Sequence, residues 1–199
     1  MWKFQGPIRI LFEQRDGTVW AASGDSLVRF QGDSMAVFGK PQGLASLPVI
    51  AMAEGVDGAL WVGTALGVQR LDSGRFGPVL ARRGPRQTVL SMYADAAGSV
   101  WAVTSSGLNR IAGTEFTPFT PAQGMPESDL TWILEDDDGY LWIAGRDGML
   151  RVARADLDAV AEGRKRAVEP RRFGVADGMR GTSDFSFGSS PSAWKGRDN

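Results

Sequence analysis

The feature that most constrains this chain is a short motif that recurs four times with a nearly constant period. Its four tryptophans, which follow one another at spacings of 41, 40 and 41 residues, are Trp20, Trp61, Trp101 and Trp142. A fixed period near forty residues indicates that one supersecondary unit has been copied and stacked along the chain. Residues shared by all copies therefore describe the fold, and residues that differ between copies are the better candidates for function.

The four copies predict short β-strands joined by tight turns. Residues 16–30, 57–71, 97–111 and 138–152 read DGTVWAASGDSLVRF, DGALWVGTALGVQRL, AGSVWAVTSSGLNRI and DGYLWIAGRDGMLRV. Asp-Gly favours a tight hairpin, because glycine adopts a positive φ without a Cβ clash and aspartate tolerates such turns. The flanking segments of four to six residues are rich in Val, Ile, Leu and Trp, as strands are. An apolar run precedes each copy and a short apolar segment follows most of them, so each unit is predicted to contain four strands.

Four antiparallel strands per period of about 40–45 residues are typical of a β-propeller blade. We therefore predict an all-β fold, a β-propeller of four-stranded antiparallel blades. The predicted blades are residues 5–40, 41–81, 82–121 and 122–176, with a partial blade at 177–199 and a short helix at about 155–163. Helical solenoids share this period, but the 26 glycines and the alternating strand runs argue against them. The motif tryptophans are expected to fill the space between neighbouring blades.

The repeat resembles one propeller family in particular. The WD-repeat type carries a Gly-His pair, whereas this chain has no histidine, and sialidase-type aspartate boxes lack the downstream Gly-aliphatic-x-Arg element. The segments AEGVDGALWVGTALGVQRL (53–71) and ILEDDDGYLWIAGRDGMLRV (133–152) resemble the two-component regulator propeller repeat, which the first copy departs from at Ser26 and the third at Ala97. This resemblance implies the sensing part of a bacterial hybrid two-component or diguanylate cyclase receptor, exported to the periplasm and held at the inner membrane.

The downstream sequence is similar to the same family. The stretch ARADLDAVAEGRKR (153–166) predicts a helix, and RRFGVADGMRGTSDFSFGSSPSAW (171–194) is similar to a late element of such propellers. Met1–Phe4 and Gly188–Lys195 are interpreted as single strands of incomplete blades. The simplest hypothesis is a piece of a longer protein that self-associates through its open blade faces. The alternative is a compact ring of four or five blades whose terminal strands share one sheet.

Composition limits the partners that we expect. The formal net charge of −1 provides no general attraction to nucleic acid or anionic membranes. No apolar run approaches the ~18–20 residues of a membrane span, so no nucleic-acid partner and no direct membrane contact is predicted for this segment. The basic stretch Arg164–Arg172 follows the predicted helix and is interpreted as a solvated surface.

The absence of histidine and cysteine removes most catalytic chemistry. It excludes a Ser-His-Asp triad, a thiol nucleophile and any metal site built on imidazole or thiolate. Carboxylate-pair chemistry and an all-oxygen calcium site remain open in principle. The acidic run Glu135–Asp138 lacks the alternating downstream ligands of a calcium loop, so it is interpreted as a hairpin turn. We predict no catalytic residue, no metal and no cofactor.

Two recurrent side chains are assigned to the scaffold. The arginine nine residues after each tryptophan is expected to have a scaffold role, such as pairing with an acid of a neighbouring strand. Its copies are Arg29, Arg70, Arg110 and Arg151. The motif tryptophans are assigned to the core rather than to stacking on sugars.

Departures from the repeat provide the candidate ligand-binding residues. Trp132 is an extra aromatic on an inner strand, where the other copies carry Ile10, Ala51 and Leu90 or nearby residues. Arg146 and Asp147 follow Trp142 in a turn where other copies have small or apolar residues. A basic loop between the second and third blades supplies the remaining candidates, Arg82, Arg83 and Arg86. Loops on a rigid scaffold commonly carry binding residues.

Three functions are compatible with these features. The first is a non-catalytic sensory module that binds a saccharide or other small ligand. The second is an enzyme, a lyase or glycosidase on a propeller scaffold, which requires carboxylates that converge on one face. The third is a scaffold that binds a protein partner.

Overall fold

The computed structural model describes residues 7–80 and 87–179. Within them, the strands form four separate antiparallel sheets of four strands each, which confirms the all-β propeller class. Blade 1 contains β1 (Ile10–Glu13), β2 (Val19–Ala22), β3 (Leu27–Gln31) and β4 (Ser34–Phe38). Blade 2 contains β5 (Ala51–Glu54), β6 (Leu60–Thr64), β7 (Gly67–Asp72) and β8 (Arg75–Phe76). Blade 3 contains β9 (Val89–Ala94), β10 (Ser99–Thr104), β11 (Gly107–Ala112) and β12 (Glu115–Pro118). Blade 4 contains β13 (Leu130–Glu135), β14 (Tyr140–Gly145), β15 (Gly148–Ala153) and β16 (Arg171–Phe173).

The turn between the first two strands of each blade has the geometry that Asp-Gly favours. The glycines of the four turns have φ between 77° and 90°, where a residue with a Cβ is disfavoured. In blades 1 and 2 the aspartate caps its own turn. Asp16 accepts a hydrogen bond from the backbone N–H of Thr18 at 2.8 Å, and Asp57 accepts one from Ala59 at 3.1 Å.

The sheets succeed one another around a common axis, with the first strand of each blade innermost. Strand β9 contacts both β5 and β13, the first strands of the blades on either side of it. In each sheet the four strands then follow in chain order, so the fourth strand is outermost. This order places the Asp-Gly turns and the turns between third and fourth strands at one end of the sheets, here called the Asp-Gly face. The turns between second and third strands, and the connections between blades, lie at the other end, the opposite face.

Apolar side chains pack between adjacent blades and not within one sheet. Three clusters of buried residues join blade 1 to blade 2, blade 2 to blade 3, and blade 3 to blade 4. Trp20, Trp61 and Trp101 belong to these three clusters in that order, and Trp142 is half-buried on the far side of blade 4. Because blades 2 and 3 pack on both sides of their sheets, burial between blades supplies most of the hydrophobic stabilisation.

A second structural repeat follows the fourth strand of several blades. Short 3₁₀ helices at Lys40–Gln42, Pro121–Gln123 and Val175–Asp177 each end at a glycine with φ between 87° and 92°. A Cβ at Gly124 would lie 2.0 Å from the carbonyl oxygen of Val168, so this position requires glycine. The residue after the glycine is buried in the first two of these helical turns, where it is Leu44 and Met125. This second repeat was not predicted from the sequence.

One helix, α1 (Arg154–Ala161), interrupts blade 4 between β15 and β16. It begins one residue before the predicted 155–163 and ends two residues earlier. Leu157 and Val160 lie on its buried side and join the cluster between blades 3 and 4. Among residues 7–80 and 87–179, no helix has the length and apolar character that crossing a membrane requires.

Candidate functional site

The motif tryptophans are held by a polar partner six residues earlier in the chain. The indole N–H of Trp20 donates to Gln14 at 2.7 Å, and that of Trp101 donates to Asp95 at 2.8 Å. Trp142 donates in the same way to Asp136, with 2.6 Å between Nε1 and Oδ2. A buried indole N–H requires an acceptor, so the two positions form one structural unit. Blade 2 has Gly55 at the acceptor position.

These hydrogen bonds affect the ionisation of Asp136. Burial by itself raises the pKa of this carboxyl group, but hydrogen bonds from the Trp142 indole and from the backbone N–H groups of Tyr140 and Asp138 lower it. The net pKa lies below the usual value of 3.8. Asp136 is therefore a carboxylate at neutral pH, and its function is to hold the turn and the tryptophan.

The four recurrent arginines do not share one role. Arg70 pairs with Asp57 at 2.6 Å and with Asp72 at 3.9 Å, both in its own blade. Arg110 pairs with Asp158 of α1 at 2.9 Å. In the described part of the chain, Arg29 and Arg151 have no carboxylate within 4 Å, and both lie over aromatic rings. The expectation that each arginine pairs with an acid of a neighbouring strand is therefore wrong for Arg29 and Arg151, and the acid that Arg110 contacts lies on a helix instead.

A cluster of ionic side chains joins α1 to blades 3 and 4 near the Asp-Gly face. Arg154 lies 2.7 Å from Glu135, 2.9 Å from Asp158 and 3.8 Å from Asp95. The side chain of Asp95 is fully buried and that of Glu135 is nine-tenths buried. The hydrogen bond and charge of Glu135 raise the pKa of Arg154, while burial raises the pKa of Asp158 against the opposing effect of two guanidinium groups. None of these contacts was predicted from the sequence. Arg154 and Asp158 are four positions apart on α1, but Glu135 and Asp95 are distant from Arg154 in the chain.

Tyr93 completes this cluster from the inner strand of blade 3. Burial raises the pKa of its phenol, and a hydrogen bond to Glu135 raises it further. The phenol is therefore a permanent hydrogen-bond donor at neutral pH. All the converging carboxylates of the cluster are thus neutralised or hydrogen-bonded by protein groups.

Trp132 lies on the innermost strand of blade 4, on the side of the sheet that faces away from blade 3. It pairs with Ala144, which is followed across the sheet by Met149 and Phe173. The strand register gives the equivalent residues in the other blades as Ile10, Ala51 and Ser91. In blade 3 the equivalent of Trp132 is therefore Ser91, which is next to the predicted Leu90. Trp132 is half-buried, and Tyr140, Trp142 and Phe173 share its side of the sheet.

Arg146 and Asp147 form the turn between β14 and β15 on the opposite face. Arg146 pairs with Asp129, with 3.3 Å between Nε and Oδ1, and its side chain is 73% exposed. Its backbone N–H also donates to the carbonyl oxygen of Asp129 at 2.9 Å. Because Trp132 and Ala144 pair close to this end of β14, the structure brings the indole and the turn to the same corner of blade 4.

Arg82, Arg83 and Arg86 lie outside the described residues. The acidic run at 135–138 is divided between different roles: Glu135 pairs with Arg154, and Asp136 holds Trp142. Within residues 7–80 and 87–179, no group of three or more acidic side chains is arranged to hold a metal ion.

The repeat that contains this corner matches a known family model. Residues 124–147 match the model described as "Two component regulator propeller", and the matched segment includes Trp132, Trp142, Arg146 and Asp147. No curated protein matches the chain.

Solved structures with the same fold include an enzyme and a receptor domain. One is a catalytically inactive virginiamycin B lyase from Staphylococcus aureus with quinupristin, at 17% identity and a TM-score of 0.64 over 87% of this chain. Another is the extracellular domain assigned to a hybrid two component system of B. thetaiotaomicron, at 16% identity and a TM-score of 0.64 over 83% of this chain. This chain spans 57% of the lyase and 23% of the receptor domain. At these identities the likeness concerns the fold alone.

Proposed function

We propose, from the two-component regulator propeller repeat at residues 124–147, that this chain is a ligand-binding sensory propeller of a bacterial two-component-type receptor. That repeat is the single observation that carries the proposal. In this role the chain lies in the periplasm as part of an inner-membrane receptor, and other domains of that receptor produce the output signal.

The ligand site of this receptor is the corner of blade 4 formed by Trp132, Arg146 and Asp147. A half-buried indole offers an apolar face to the C–H groups of a sugar ring, and the exposed Arg146 and Asp147 side chains offer hydrogen bonds to its hydroxyl groups. The turn is fixed by two contacts between Arg146 and Asp129. These properties favour a saccharide or a similar small polar ligand.

The ionic cluster supports a non-catalytic role. Glycosidase or lyase chemistry needs carboxylates that reach the substrate. The carboxylates that converge in the described residues are Asp95, Glu135 and Asp158, and each is largely buried against Arg154 or Arg110. Their positions suit a scaffold better than a reaction centre.

A glycan array followed by thermal unfolding tests the binding site. A glycan that binds the intact protein is expected to raise its unfolding temperature, and Trp132→Ala is expected to abolish that shift. Arg146→Ala is expected to reduce the shift, because it removes a hydrogen-bond donor of the site. Arg9→Ala is its matched control and is expected to leave the shift unchanged, because Arg9 is an exposed arginine at the same end of blade 1. If the Trp132→Ala protein, folded by circular dichroism, binds the glycan as well as the parent protein, the site is wrong.

The competing enzymatic function has its own test. Fold likeness to virginiamycin B lyase does not carry the chemistry with it. Quinupristin incubated with the purified protein is expected to keep its chromatographic retention time. Conversion of quinupristin would replace the sensory proposal with a lyase. Sequencing the gene around this segment tests the receptor assignment, which requires a membrane span together with a kinase or cyclase domain.

Self-association is the second part of the proposal. Leu11 and Val37 are 67% and 39% exposed on the side of blade 1 that faces away from blade 2. Strand register places them in one row with Ala21 and Val28. A second copy that packs the same row of its own blade 1 on this row buries the exposed apolar side chains of both copies. This contact leaves the side of blade 4 that carries Trp132 open to a ligand.

A further inference from the structure

The internal repeat shows that Arg29 has lost the partners that its counterpart in blade 2 retains. Arg70 pairs with Asp57 and Asp72. Strand register assigns Gln31 in blade 1 to the position of Asp72 in blade 2. Asp16 occupies the position of Asp57, yet in the described residues no carboxylate lies within 4 Å of Arg29. Among the described residues, the Arg29 guanidinium therefore has no ion pair within 4 Å. It lies 5.5 Å from the centroid of the Phe38 ring and feels the Asp16 charge only at longer range.

Arg29 lines a cleft between blades 1 and 2 at the Asp-Gly face. The cleft has a volume of about 190 Å³, and blade 1 supplies Gln14, Asp16, Trp20 and Gln31 to it, while Ser73 of blade 2 closes one side. Such a volume exceeds that of a single water and lies below the ~300–1,000 Å³ typical of drug-sized ligands. The cleft therefore suits a molecule about the size of one monosaccharide.

The walls of the cleft are fixed, and its polar groups remain available. Gln14 accepts from Trp20 at 2.7 Å and donates to the carbonyl oxygen of Gly58 at 2.8 Å, which ties the floor of the cleft to both blades. Asp16 uses one carboxylate oxygen to cap Thr18. The side chain of Thr18 also hydrogen-bonds the Asp16 carboxylate. Asp16 and Gln31 are both exposed, and a carboxylate with two protein donors has lone pairs left for further hydrogen bonds.

We propose that this cleft binds a small hydroxylated carboxylate of the uronic acid class. The guanidinium of Arg29 takes the carboxylate in a two-point contact, for which its planar set of N–H donors is suited. Asp16, Gln31 and Ser73 bind hydroxyl groups, and the carboxylate of Asp16 disfavours a purely anionic ligand such as phosphate. This site is separate from the corner at Trp132 and does not depend on the receptor function.

Isothermal titration calorimetry of the intact protein with glucuronate and galacturonate tests the site. Glucose and galactose are the neutral controls, and inorganic phosphate and glutamate probe other anions. We expect at least one uronate to bind and the neutral sugars to bind at least about tenfold more weakly, because a charge-assisted contact is lost.

Two substitutions with a matched control locate the binding. Arg29→Gln removes the guanidinium and is expected to weaken uronate binding about tenfold or more. Gln31→Asp keeps Arg29 but supplies the acid that blade 2 has at Asp72, so it is expected to weaken binding without removing the cation. Arg70→Gln, the equivalent change in blade 2, is expected to leave the affinity within about twofold.

Several outcomes overturn the proposal. These are the absence of uronate binding at millimolar concentration, equal binding of the neutral sugars, and tighter binding of phosphate or glutamate. Unchanged uronate affinity in folded Gln31→Asp also overturns it, and this variant decides the question if Arg29→Gln does not fold.

Discussion

Trp101 donates its indole N–H to Asp95, with 2.8 Å between Nε1 and Oδ2, and both side chains are buried. The same oxygen of Asp95 lies 3.8 Å from a guanidinium nitrogen of Arg154. Asp95 also caps its own hairpin turn by accepting the backbone N–H of Ser99 at 2.9 Å. One carboxylate therefore connects the repeated blade unit to the helix that only blade 4 carries.

Replacement of Asp95 by leucine is expected to lower the free energy of unfolding by about 2–4 kcal/mol. The change leaves the Trp101 indole without its acceptor and removes a partner of Arg154. Urea denaturation measures the loss. Asp136→Leu is the matched change in blade 4, where the carboxylate and Trp142 are only partly buried, and a smaller loss is expected. If Asp95→Leu and Asp136→Leu lower the free energy of unfolding equally, burial of the carboxylate does not determine the cost of removing it.

Arg154→Met is expected to destabilise the protein by about 3–5 kcal/mol, because it removes the guanidinium next to the buried Asp95 and Glu135 and leaves Asp158 with Arg110 alone. Arg164→Met is the control: Arg164 pairs with Glu162 on the exposed surface, so its loss is expected to cost less than about 1 kcal/mol. Urea denaturation at neutral pH compares the two variants. Equal stability of the two would show that the cluster near α1 contributes little.

The lowered pKa of Asp136 predicts a specific dependence of stability on pH. A carboxyl group whose pKa is lower in the folded state contributes stability above its unfolded pKa, near 3.8, and loses that contribution as the pH falls through its folded pKa. Asp136→Asn is therefore expected to reduce stability at pH 7 and to lose less of it on acidification than the parent protein. Urea denaturation at pH 7 and pH 3 measures both. If the parent protein and Asp136→Asn lose the same stability between pH 7 and pH 3, the pKa of Asp136 is not lowered by folding.

Leu11→Glu is expected to convert a self-associated protein to a monomer, because it places a charge on the exposed apolar row of blade 1. Light scattering over a range of protein concentrations measures the mass. Glu13→Gln is the control, since Glu13 is an exposed residue of the same strand and its neutralisation adds no charge to the row. A monomeric parent protein would contradict the proposed contact between copies.

The number of strands in each unit and the positions of the hairpin turns could be predicted, because both depend on local sequence. Asp-Gly turns and alternating apolar residues act over a few neighbouring positions. The acceptors of the indole N–H groups were missed, since Gln14, Asp95 and Asp136 differ in residue type and Gly55 interrupts the series. Alignment of the copies back to the sixth residue before each tryptophan would have shown three polar residues in four positions.

The candidate site was only partly predictable. Trp132, Arg146 and Asp147 differ visibly from their counterparts in the other copies. Their position at one corner of blade 4 depends on the register between β13 and β14, which contains an irregularity between Leu130 and Trp132. A one-residue shift would have moved the side chain to the other side of the sheet.

The sequence by itself determined the repeated blade, because the information for a turn and its two strands lies within about twenty residues of each tryptophan. Only the tertiary structure decided which charges meet. Arg110 meets Asp158 across 48 positions, whereas Arg29 meets no described acid although its counterpart Arg70 is paired. Such pairs depend on how whole blades and α1 pack together. Copies of one motif therefore differ in their ion pairs, because different structural elements pack beside each copy.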